Sequence, residues 1–532
     1  MADYILCLDV GTTNIKSFLF DRNGEIVAQA RRRPKYIMEE PGQVEQDPKE
    51  IWEMSKQVIE EVINSKNLKA EKIDSIAITT QRGSFCLWDK NSGKVLSNII
   101  TWQDKRCAGY VEKKNKSFLM KIIRGLTKVI YLFTRNTKML TASMLYYTTD
   151  HATARTGFLL KNNPELADKI KSPDTSIVWG TIDTWILWNL TQGEIHATDY
   201  SNVSSTGLLD PFSLKWNPLP LGAFNIPKHI LPEIRPTRGD FGTTKLFGDG
   251  EILIKSIMAD QQASLFGQGC LNKGEMKVTN GTGSFVDINT ADAPYASKRK
   301  LYPLIAWFTE KEVEEIDDEG KTIKKIVGAP TYLLEGVSHN TGNIVDWIQQ
   351  ELNLYNNPEE TEKMALSVES TKGVYFLPSF TSGISFPYWD PTARGCLFGV
   401  SLETKKEHIV RAILEGICFR IKDIVDGVIQ DTKINVEKIK ADGGVSQNEF
   451  VLQFLSDILG LEVEHSSNLE TTALGATFMA GLASGFWKDE NELLQIRKVD
   501  KTYKPQISDD ARKKQYSNWK NIIKRSLNYD IG

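Results

Sequence analysis

Apolar residues near the amino terminus occur in three short runs that predict three consecutive β-strands. Residues 4–27, YILCLDVGTTNIKSFLFDRNGEIV, place a Gly-Thr-Thr turn after the first run and an Asn-Gly turn after the second. The pattern returns at residues 275–289, EMKVTNGTGSFVDIN, where a Gly-Thr-Gly turn separates two apolar runs. The recurrence predicts an internally duplicated chain, in which each half opens with a strand, a glycine-threonine turn and a strand.

Helical spacing of apolar residues follows in other segments. Residues 47–66 predict a helix that Asp47 caps and that has Pro48 at its first position. Residues 183–190, DTWILWNL, predict a short helix with Asp183 as its cap. Both caps are predicted from residue type, because a short polar side chain accepts an unpaired N–H group of the first helical turn.

Two further segments predict surface features. Residues 118–133, FLMKIIRGLTKVIYLF, are apolar, but Lys121, Arg124 and Lys128 interrupt them. We expect a helix with a solvated face and a stripe that packs into the core; a basic amphipathic helix that touches a membrane is the alternative. Residues 309–326 predict a charged hairpin, inserted at the surface around an Asp-Glu-Gly turn.

Length and composition bound the class of protein. The 532 residues require two large domains or three to four smaller ones, because a single core does not grow to that size. A hydrophobic content of 41%, a charged content of 25% and a net charge of -3 are typical of a cytoplasmic enzyme and predict no affinity for nucleic acid. The first residues lack a basic region, and no apolar run reaches about 18 residues, so we expect neither a signal peptide nor a transmembrane segment. The six cysteines lie far apart and predict reduced, packed thiols.

Asp260 is the candidate catalytic residue. It follows a β-type run, ILIKSIM, and precedes an apolar pattern at Ala263, Leu265 and Phe266, so it lies where a strand turns into a helix. Two roles suit that place: helix capping, which the local sequence favours, and general base catalysis. Two following amides and a glycine-rich turn about twenty residues later favour the second role, so we expect a base that caps only secondarily.

The first glycine turn is a candidate phosphate site. Gly11 lets the backbone approach a ligand closely. The next three residues, Thr12, Thr13 and Asn14, offer hydroxyl, amide and N–H donors for phosphate oxygens. Asp9, at the end of the strand, is placed to hold a hydrated Mg²⁺. An ordinary threonine-rich hairpin is the alternative.

Three other loops supply candidate ligand groups. Thr282, in the second turn, would grip the same phosphate chain from the opposite side. The strand IDSIAIT ends at Gln81 and Arg82, which predicts a ligand site at the carboxyl edge of a sheet; an exposed loop arginine is the alternative. Gly444 permits a flat base or ribose to lie against the backbone, with Asn448 available for hydrogen bonds; an ordinary strand-to-helix loop is the alternative.

Ten motifs occur in a familiar order. They are LDVGTTNIK, VEQDPKEIW, IDTWILWNLTQG, TDYSN, ADQQASLFGQ, NGTGSF, LEG, PYWDPTARG, DGGVSQNEFVLQFLSDILG and TALGATFMAGLASGFW. Over nearly its whole length the chain resembles the glycerol kinases of the FGGY carbohydrate kinase family, and among them a divergent animal branch. The resemblance implies an α/β fold with two actin-like ATPase (ribonuclease H-like) domains, residues 1–257 and 258–532, on either side of a cleft. It also implies ATP and Mg²⁺, and phosphorylation of a polyol hydroxyl, with glycerol as the leading acceptor.

Carried over position by position, the resemblance gives each candidate residue a role. Asp260 matches the catalytic base, Gln261 its partner at a substrate hydroxyl, and Arg82 the arginine that contacts the polyol. The positions that correspond to nucleotide-binding residues are Thr12, Thr13, Asn14, Lys16, Thr282, Gly342, Asp346, Gly444 and Asn448. Lys16 and Asp346 replace an arginine and a glutamine of glycerol kinases, and we expect them to tune nucleotide binding.

Two departures from the glycerol kinases concern the acceptor. Gly83 stands in place of a substrate-binding glutamate, and Asp150 in place of a substrate-contacting tyrosine. The lost hydrogen bonds would weaken the use of glycerol by roughly ten to ten-thousand-fold, unless a group such as Asp150 replaces them. We therefore expect glycerol to be a poor substrate that Gly83→Glu improves. The alternatives are a kinase for another polyol or sugar, or a weakly active nucleotide-binding regulatory or scaffold protein. A homodimer is one option for the assembly, which the sequence does not settle.

Overall fold

Two large mixed β-sheets form the framework of the protein. The computed structural model describes residues 2–316, 322–380, 383–390 and 392–528. The strands of the first half are β1 (Tyr4–Val10), β2 (Ile15–Phe20), β3 (Ile26–Arg32), β4 (Glu45–Gln46), β5 (Ile73–Thr80), β6 (Phe85–Asp89), β7 (Ile99–Ile100), β8 (Ile177–Thr181), β9 (Ala197–Asp199), β10 (Leu209–Asp210), β11 (Lys215–Trp216), β12 (Glu233–Arg235), β13 (Thr243–Thr244) and β14 (Ile252–Ala259). Its helices are α1 (Pro48–Ser65), α2 (Ala108–Lys116), α3 (Phe118–Thr134), α4 (Thr137–Ser143), α5 (Ala152–Asn162), α6 (Pro164–Lys169), α7 (Ile182–Leu190), α8 (Tyr200–Ser204) and α9 (Pro218–Phe224).

The second half continues the same alternation of strands and helices. Its helices are α10 (Asp260–Gly267), α11 (Gly342–Trp347), α12 (Glu360–Leu366), α13 (Lys406–Thr432), α14 (Glu449–Leu459), α15 (Thr471–Ser484), α16 (Glu490–Ile496) and α17 (Asp509–Ser526). Its strands are β15 (Met276–Asn280), β16 (Ser284–Ala291), β17 (Tyr302–Ile316), β18 (Thr322–Ser338), β19 (Tyr375–Leu377), β20 (Cys396–Phe398), β21 (Lys438–Asp442), β22 (Glu462–Ser466) and β23 (Val499–Tyr503).

The two large sheets share one topology, as the predicted duplication requires. The first has the order β13-β14-β5-β1-β2-β3, in which β1 pairs antiparallel with β2 and parallel with β5. The second has the order β17-β18-β16-β15-β21-β22-β23, in which β15 pairs antiparallel with β16 and parallel with β21. β13 and β23 are edge strands at equivalent ends of the two sheets, and each pairs antiparallel with its neighbour. β17 has no counterpart in the first sheet. The internal duplication is therefore confirmed.

Two helices that cross between the sheets hold the halves together. α10 follows β14 and α15 follows β22, so the two helices occupy equivalent places. Their backbones touch: a Cβ atom on Gly475 would lie 1.8 Å from the carbonyl oxygen of Ala263, and one on Gly267 would lie 2.1 Å from that of Thr471. Only glycine permits so close an approach at these positions. Around this contact lies a core to which both sheets contribute apolar side chains.

The two predicted helix caps have different outcomes. Asp47 caps α1 as predicted, since its side chain accepts the N–H of Lys49 and Pro48 is the first helical residue. The prediction for Asp183 is wrong, because α7 begins one residue earlier and Thr181 is its cap. Asp183 is buried instead, and its Oδ2 accepts from Thr198 Oγ1 at 2.6 Å. Burial raises the pKa of Asp183 to about 7.

The two predicted surface segments also differ in outcome. Residues 118–133 form α3, in which Met120 is buried and Ile123 packs against the same core, so the predicted core stripe is present but short; most of the other apolar side chains are exposed. Residues 309–316 and 322–326 lie on the paired strands β17 and β18, as a hairpin requires. The tip of the predicted hairpin lies outside the described residues. All six cysteines are free thiols, and all but Cys396 are buried. No helix in the described ranges has the length and apolar character needed to span a membrane.

Candidate active site

A cleft of about 640 Å³ lies between the two sheets. Both glycine-threonine turns and the start of α10 contribute to its walls. The predicted site residues that line it are Thr12, Thr13, Arg82, Gly83, Asp150, Asp260, Gln261 and Thr282. Seven other predicted residues lie outside this lining: Asp9, Asn14, Lys16, Gly342, Asp346, Gly444 and Asn448.

Asp260 is the first residue of α10 and faces this cleft. Ala259 is the N-cap residue, but the Asp260 side chain accepts a backbone N–H of the first helical turn, as the predicted secondary capping role requires. Its Oδ1 accepts the N–H of Gln261 at 2.7 Å and lies 3.4 Å from Arg82 Nε. Burial raises the pKa of Asp260, and the neighbouring guanidinium group partly offsets that shift. The carboxylate is thus held in place while part of it remains open to the cleft.

Arg82 joins the two halves of the protein. It lies just beyond the end of β5, at the predicted edge of the first sheet, and its side chain is 11% exposed. Its Nη2 donates to Glu335 Oε2 of the second sheet at 2.6 Å. Its Nη1 is a buried donor without a hydrogen-bond partner in the described part of the chain. The alternative of an exposed loop arginine is therefore wrong.

Glu335 belongs to a buried charged row that crosses β18, β16 and β15. Asp287, on the central strand β16, pairs with Glu335 on β18 and with Lys277 on β15. Lys277 Nζ is 2.8 Å from Asp287 Oδ2. Burial raises the pKa of Glu335 to about 8, with Arg82 opposing the shift and Asp287 adding to it. Lys277 Nζ also donates to Gln261 Oε1 at 2.6 Å. The amide oxygen of Gln261 is therefore engaged, and its amide nitrogen is the group left to donate to a ligand.

The sequence analysis did not single out Lys277, Asp287 or Glu335. A signal was present in EMKVTNGTGSFVDIN, where Lys277 and Asp287 are equally distant from Thr282 at the centre of the turn. An antiparallel hairpin pairs such residues across the two strands, and oppositely charged partners inside apolar strands indicate a buried ion pair.

The first glycine turn packs tightly against its surroundings. The N–H of Gly11 donates to the carbonyl oxygen of Asn14 at 3.0 Å, which closes the turn. Thr12 Oγ1 accepts from Trp102 Nε1 at 3.1 Å. Asp9 is buried at the end of β1, and burial raises its pKa to about 7, with Lys16 as the largest opposing influence.

The second glycine turn lies on other backbone segments rather than on side chains. The N–H of Gly342 donates to the carbonyl oxygen of Gly281 at 3.0 Å. A Cβ atom on Gly342 would lie 2.7 Å from that oxygen, and one on Gly283 would lie 2.6 Å from the carbonyl oxygen of Ser338. Thr282 stands exposed at the tip of this turn and lines the cleft.

The other positions predicted to bind the nucleotide lie on loops and helices of the second half. Asn448 caps α14 by accepting the N–H of Val451, so its carbonyl oxygen is already engaged. Its Nδ2 donates to Thr361 Oγ1 at 3.1 Å. Gly444 adjoins open space, whereas Asp346 is exposed on α11.

Asp150 lines the same cleft as Arg82 and Asp260. Asp150 forms an ion pair with Lys105, which also lines the cleft. Burial favours a higher pKa for Asp150, but Lys105 and the nearby His339 outweigh it and lower that pKa to about 2. Lys105 was not singled out from the sequence, because nothing local marks it as the partner of a residue that far along the chain.

Gly83 has a left-handed backbone with φ of +68°. A Cβ atom there would lie 3.3 Å from the carbonyl oxygen of Asp150 and 3.4 Å from Arg155 Nη2. Any side chain would therefore be strained as well as close to its neighbours. Gly83→Glu would add this strain to any gain from a restored acid, so it is a poor test of the acceptor.

Comparison with known proteins identifies the family. The N-terminal domain model of the FGGY family of carbohydrate kinases matches residues 4–267, and the C-terminal domain model matches residues 276–484. The chain is 37% identical to glycerol kinase 5 of Danio rerio, covering 99% of this chain and 97% of the relative. It is also 37% identical to the glycerol kinase of Caldanaerobacter subterraneus, covering 99% of both.

Solved structures agree with this result. The glycerol kinase of Plasmodium falciparum, determined with ADP, superimposes with a TM-score of 0.85 at 31% identity, covering 99% of this chain and 98% of that one. A xylulose kinase from Lactobacillus acidophilus gives a TM-score of 0.79 at 25% identity, covering 98% of both chains. The predicted family and the fold of two actin-like domains are confirmed, while the boundary at residues 257 and 258 stays a prediction. The chain belongs to the FGGY family of carbohydrate kinases and is an ATP-dependent phosphotransferase that acts on an alcohol group.

Proposed function

We propose that this enzyme transfers the γ-phosphoryl group of ATP to a primary hydroxyl of a small polyol, with glycerol as the leading acceptor and Asp260 as the general base. The observation that carries the proposal is the Arg82–Asp260 pair in the wall of the cleft. Arg82 Nη1 is buried without a hydrogen-bond partner in the described ranges, which costs about 1–3 kcal/mol unless a ligand accepts from it. An acceptor hydroxyl bound in the cleft beside Arg82 would lie next to Asp260, because both residues line it.

Asp260 has one oxygen available for chemistry. Its Oδ1 accepts from Gln261 and lies near Arg82, whereas Oδ2 accepts no hydrogen bond from any described residue. In the proposed step the acceptor oxygen bonds to the γ-phosphorus, the bond from that phosphorus to the β,γ-bridging oxygen breaks, and the hydroxyl proton goes to Oδ2. Arg82 favours the ionised form of the base, because it partly offsets the rise in the pKa of Asp260 that burial causes.

Gln261 is the proposed positioning group for a second acceptor hydroxyl. Lys277 fixes the amide oxygen of Gln261, and Asp287 in turn holds Lys277 within the sheet. Rigid placement of the remaining amide donor lowers the entropy that binding must overcome. Lys277 and Asp287 thus support the site from beneath, whereas Glu335 also lines the cleft.

The two glycine turns are proposed to bind the phosphates of ATP from the two halves. Thr12 and Thr13 reach the cleft from one side and Thr282 from the other. Gly342 packs directly on Gly281, which fixes the second turn in place. Neither glycine carries a side chain that would obstruct a nucleotide approaching the main chain. Lys16 is held by Glu470 and would need to release it to reach a phosphate.

Asp9 is the proposed protein ligand near Mg²⁺. The fit rests on charge: Asp9 is buried, and the carboxylates of Glu470 and Asp260 add to the rise in its pKa, so a cation nearby would be stabilised. Among the described residues no cluster of three or more metal-binding side chains occurs, which suits an ion that keeps most of its waters and binds phosphate oxygens. When bound, the ion would neutralise charge that develops on the phosphates.

The identity of the acceptor depends on the Lys105–Asp150 pair. A fully ionised Asp150 accepts hydrogen bonds from hydroxyls, and Lys105 donates to them, so the pair can replace part of the binding that Gly83 lacks. Position 83 carries glycine where glycerol kinases carry a substrate-binding glutamate, which keeps a longer polyol or a sugar as the second candidate.

A panel of acceptors tests the proposal. ADP release would be measured with glycerol, xylulose and gluconate. These are the acceptors after which three structurally similar kinases are named. We expect glycerol to support turnover with a high KM, and Asp260→Asn to abolish it. A preference of more than about tenfold for a longer acceptor would replace glycerol, and no turnover with any acceptor would favour a regulatory protein.

A further inference from the structure

Helix α3 presents a continuous apolar face at the protein surface. Seven of its large side chains are between 47% and 85% exposed: Phe118, Leu119, Ile122, Leu126, Val129, Leu132 and Phe133. Spacings of three and four residues place most of them on one side of the helix. An exposed apolar face of this kind marks a surface that another body covers.

The opposite side of α3 holds it to the protein. Met120 is buried there, and Arg124 donates to the carbonyl oxygens of Leu145 and Asn115 at 2.8 and 3.0 Å. The outward direction of the apolar face is therefore a consequence of specific contacts. Those contacts would be lost if the helix turned its apolar side inward.

The charge around α3 is of one sign. Residues 113–149 contain eight lysines and arginines and no aspartate or glutamate, in a chain whose net charge is -3. Lys121 and Lys128 are exposed and seven residues apart, so both lie along one flank of the apolar face. Long basic side chains in this position can extend to anionic headgroups while apolar neighbours enter the acyl region.

We propose that α3 binds the surface of a bilayer containing anionic lipids, with its axis in the membrane plane. The helix has 17 residues, a length of about 25 Å, and three of them are cationic, which suits a helix that lies on a membrane and does not cross it. The single sign of charge selects a partner of the opposite sign. A second copy of this chain fits less well, because it would bring two equally basic segments together.

Cosedimentation of the full-length protein with vesicles tests the proposal. Phosphatidylcholine vesicles with and without about 30% phosphatidylserine would be compared at low and high salt. We expect binding to the anionic vesicles, and binding at least about tenfold weaker to the neutral ones and at high salt. The double variant Ile122→Gln/Leu126→Gln should bind more than about tenfold more weakly, and Lys121→Gln/Lys128→Gln several-fold more weakly.

A matched control removes apolar side chains elsewhere. Leu366 and Leu402 are 62% and 107% exposed, and Leu366→Gln/Leu402→Gln should bind vesicles like the original protein. All three variants should keep the original unfolding temperature and kinase turnover. The proposal is overturned if the original protein ignores anionic vesicles, if Ile122→Gln/Leu126→Gln binds them unchanged, or if that variant instead abolishes a dimer that does not bind vesicles.

Discussion

The starts of α10 and α15 occupy equivalent places in the two halves, yet they carry different chemistry. α10 begins with Asp260, and α15 follows directly on Glu470; both carboxylates influence Asp9. Their side chains are similarly exposed, at 26% and 29%. Lys16 Nζ lies 2.7 and 2.8 Å from the two oxygens of Glu470, whereas Arg82 Nε approaches one oxygen of Asp260 at 3.4 Å.

In the proposed mechanism, the cationic partner and not the exposure of the side chain distinguishes the carboxylate that accepts a proton from the one that does not. Both oxygens of Glu470 accept from the Lys16 ammonium group, so that carboxylate is more fully engaged than Asp260 is by Arg82. Asp260 keeps an oxygen free, and burial raises its pKa toward the range in which a base is effective. The duplicated fold gives the two carboxylates equivalent positions. Their cationic partners, Arg82 and Lys16, make them differ in chemistry.

Neutralising each of the two carboxylates in turn tests whether Asp260 alone is the base. Asp260→Asn keeps an oxygen that accepts the Gln261 N–H, so the protein should fold, but kcat should fall by about 10²–10⁴-fold because the base is lost. Glu470→Gln should lower kcat by less than about tenfold, since Glu470 pairs with Lys16 and does not line the cleft. Turnover would be followed by ADP release. Equal losses in the two variants would contradict the assignment of the base.

The contact between the two helices provides the second test. Gly475→Ala would place a methyl group 1.8 Å from the Ala263 carbonyl oxygen, so the helices must separate. We expect the free energy of unfolding to fall by about 1–3 kcal/mol or more, measured by urea denaturation. Gly222→Ala is the control, because a Cβ atom there meets nothing within 4 Å. An unchanged stability in Gly475→Ala would mean that the helices tolerate a wider separation.

Arg82→Gln sharpens the contrast between the two cations. It removes the charge that lowers the pKa of Asp260, so the acid limb of the kcat/KM profile should move to higher pH. The direction follows because the base acts only when deprotonated. The KM for the acceptor should also rise by roughly ten to a hundred-fold, since charge-assisted hydrogen bonds are lost.

The matched change Arg32→Gln removes an exposed arginine that pairs with Glu61, and it should leave both the pH profile and KM unchanged. A shift of the acid limb to lower pH in Arg82→Gln would show that Arg82 does not control the ionisation of Asp260.

Lys105→Met gives the smallest expected effect. It frees Asp150 from its ion pair and removes one donor, so the KM for the acceptor should change by about two- to tenfold while kcat stays within a factor of two or so. Steady-state kinetics with glycerol and with a longer acceptor would show which of them depends on Lys105. A large loss of kcat with unchanged KM would instead place Lys105 near the transferred phosphate.

The sequence alone was sufficient for features that depend on neighbouring residues. The two turns, the duplication, the Asp47 cap and the junction at Asp260 all follow from spacing within a few positions. Motif order was sufficient for the family and therefore for the fold. Local reasoning failed at Asp183, where the helix started one residue early and the aspartate became buried.

Only the tertiary structure decides what depends on distant residues. Arg82 and Glu335 are 253 positions apart, and the sequence around neither residue indicates that the two side chains meet. The exposure of the apolar face of α3 follows from contacts that Arg124 makes elsewhere, and the same periodicity would suit a buried helix. The physical reason is common to both cases: periodicity reports which residues share a face, while burial and ion pairing depend on what the rest of the chain brings to that face.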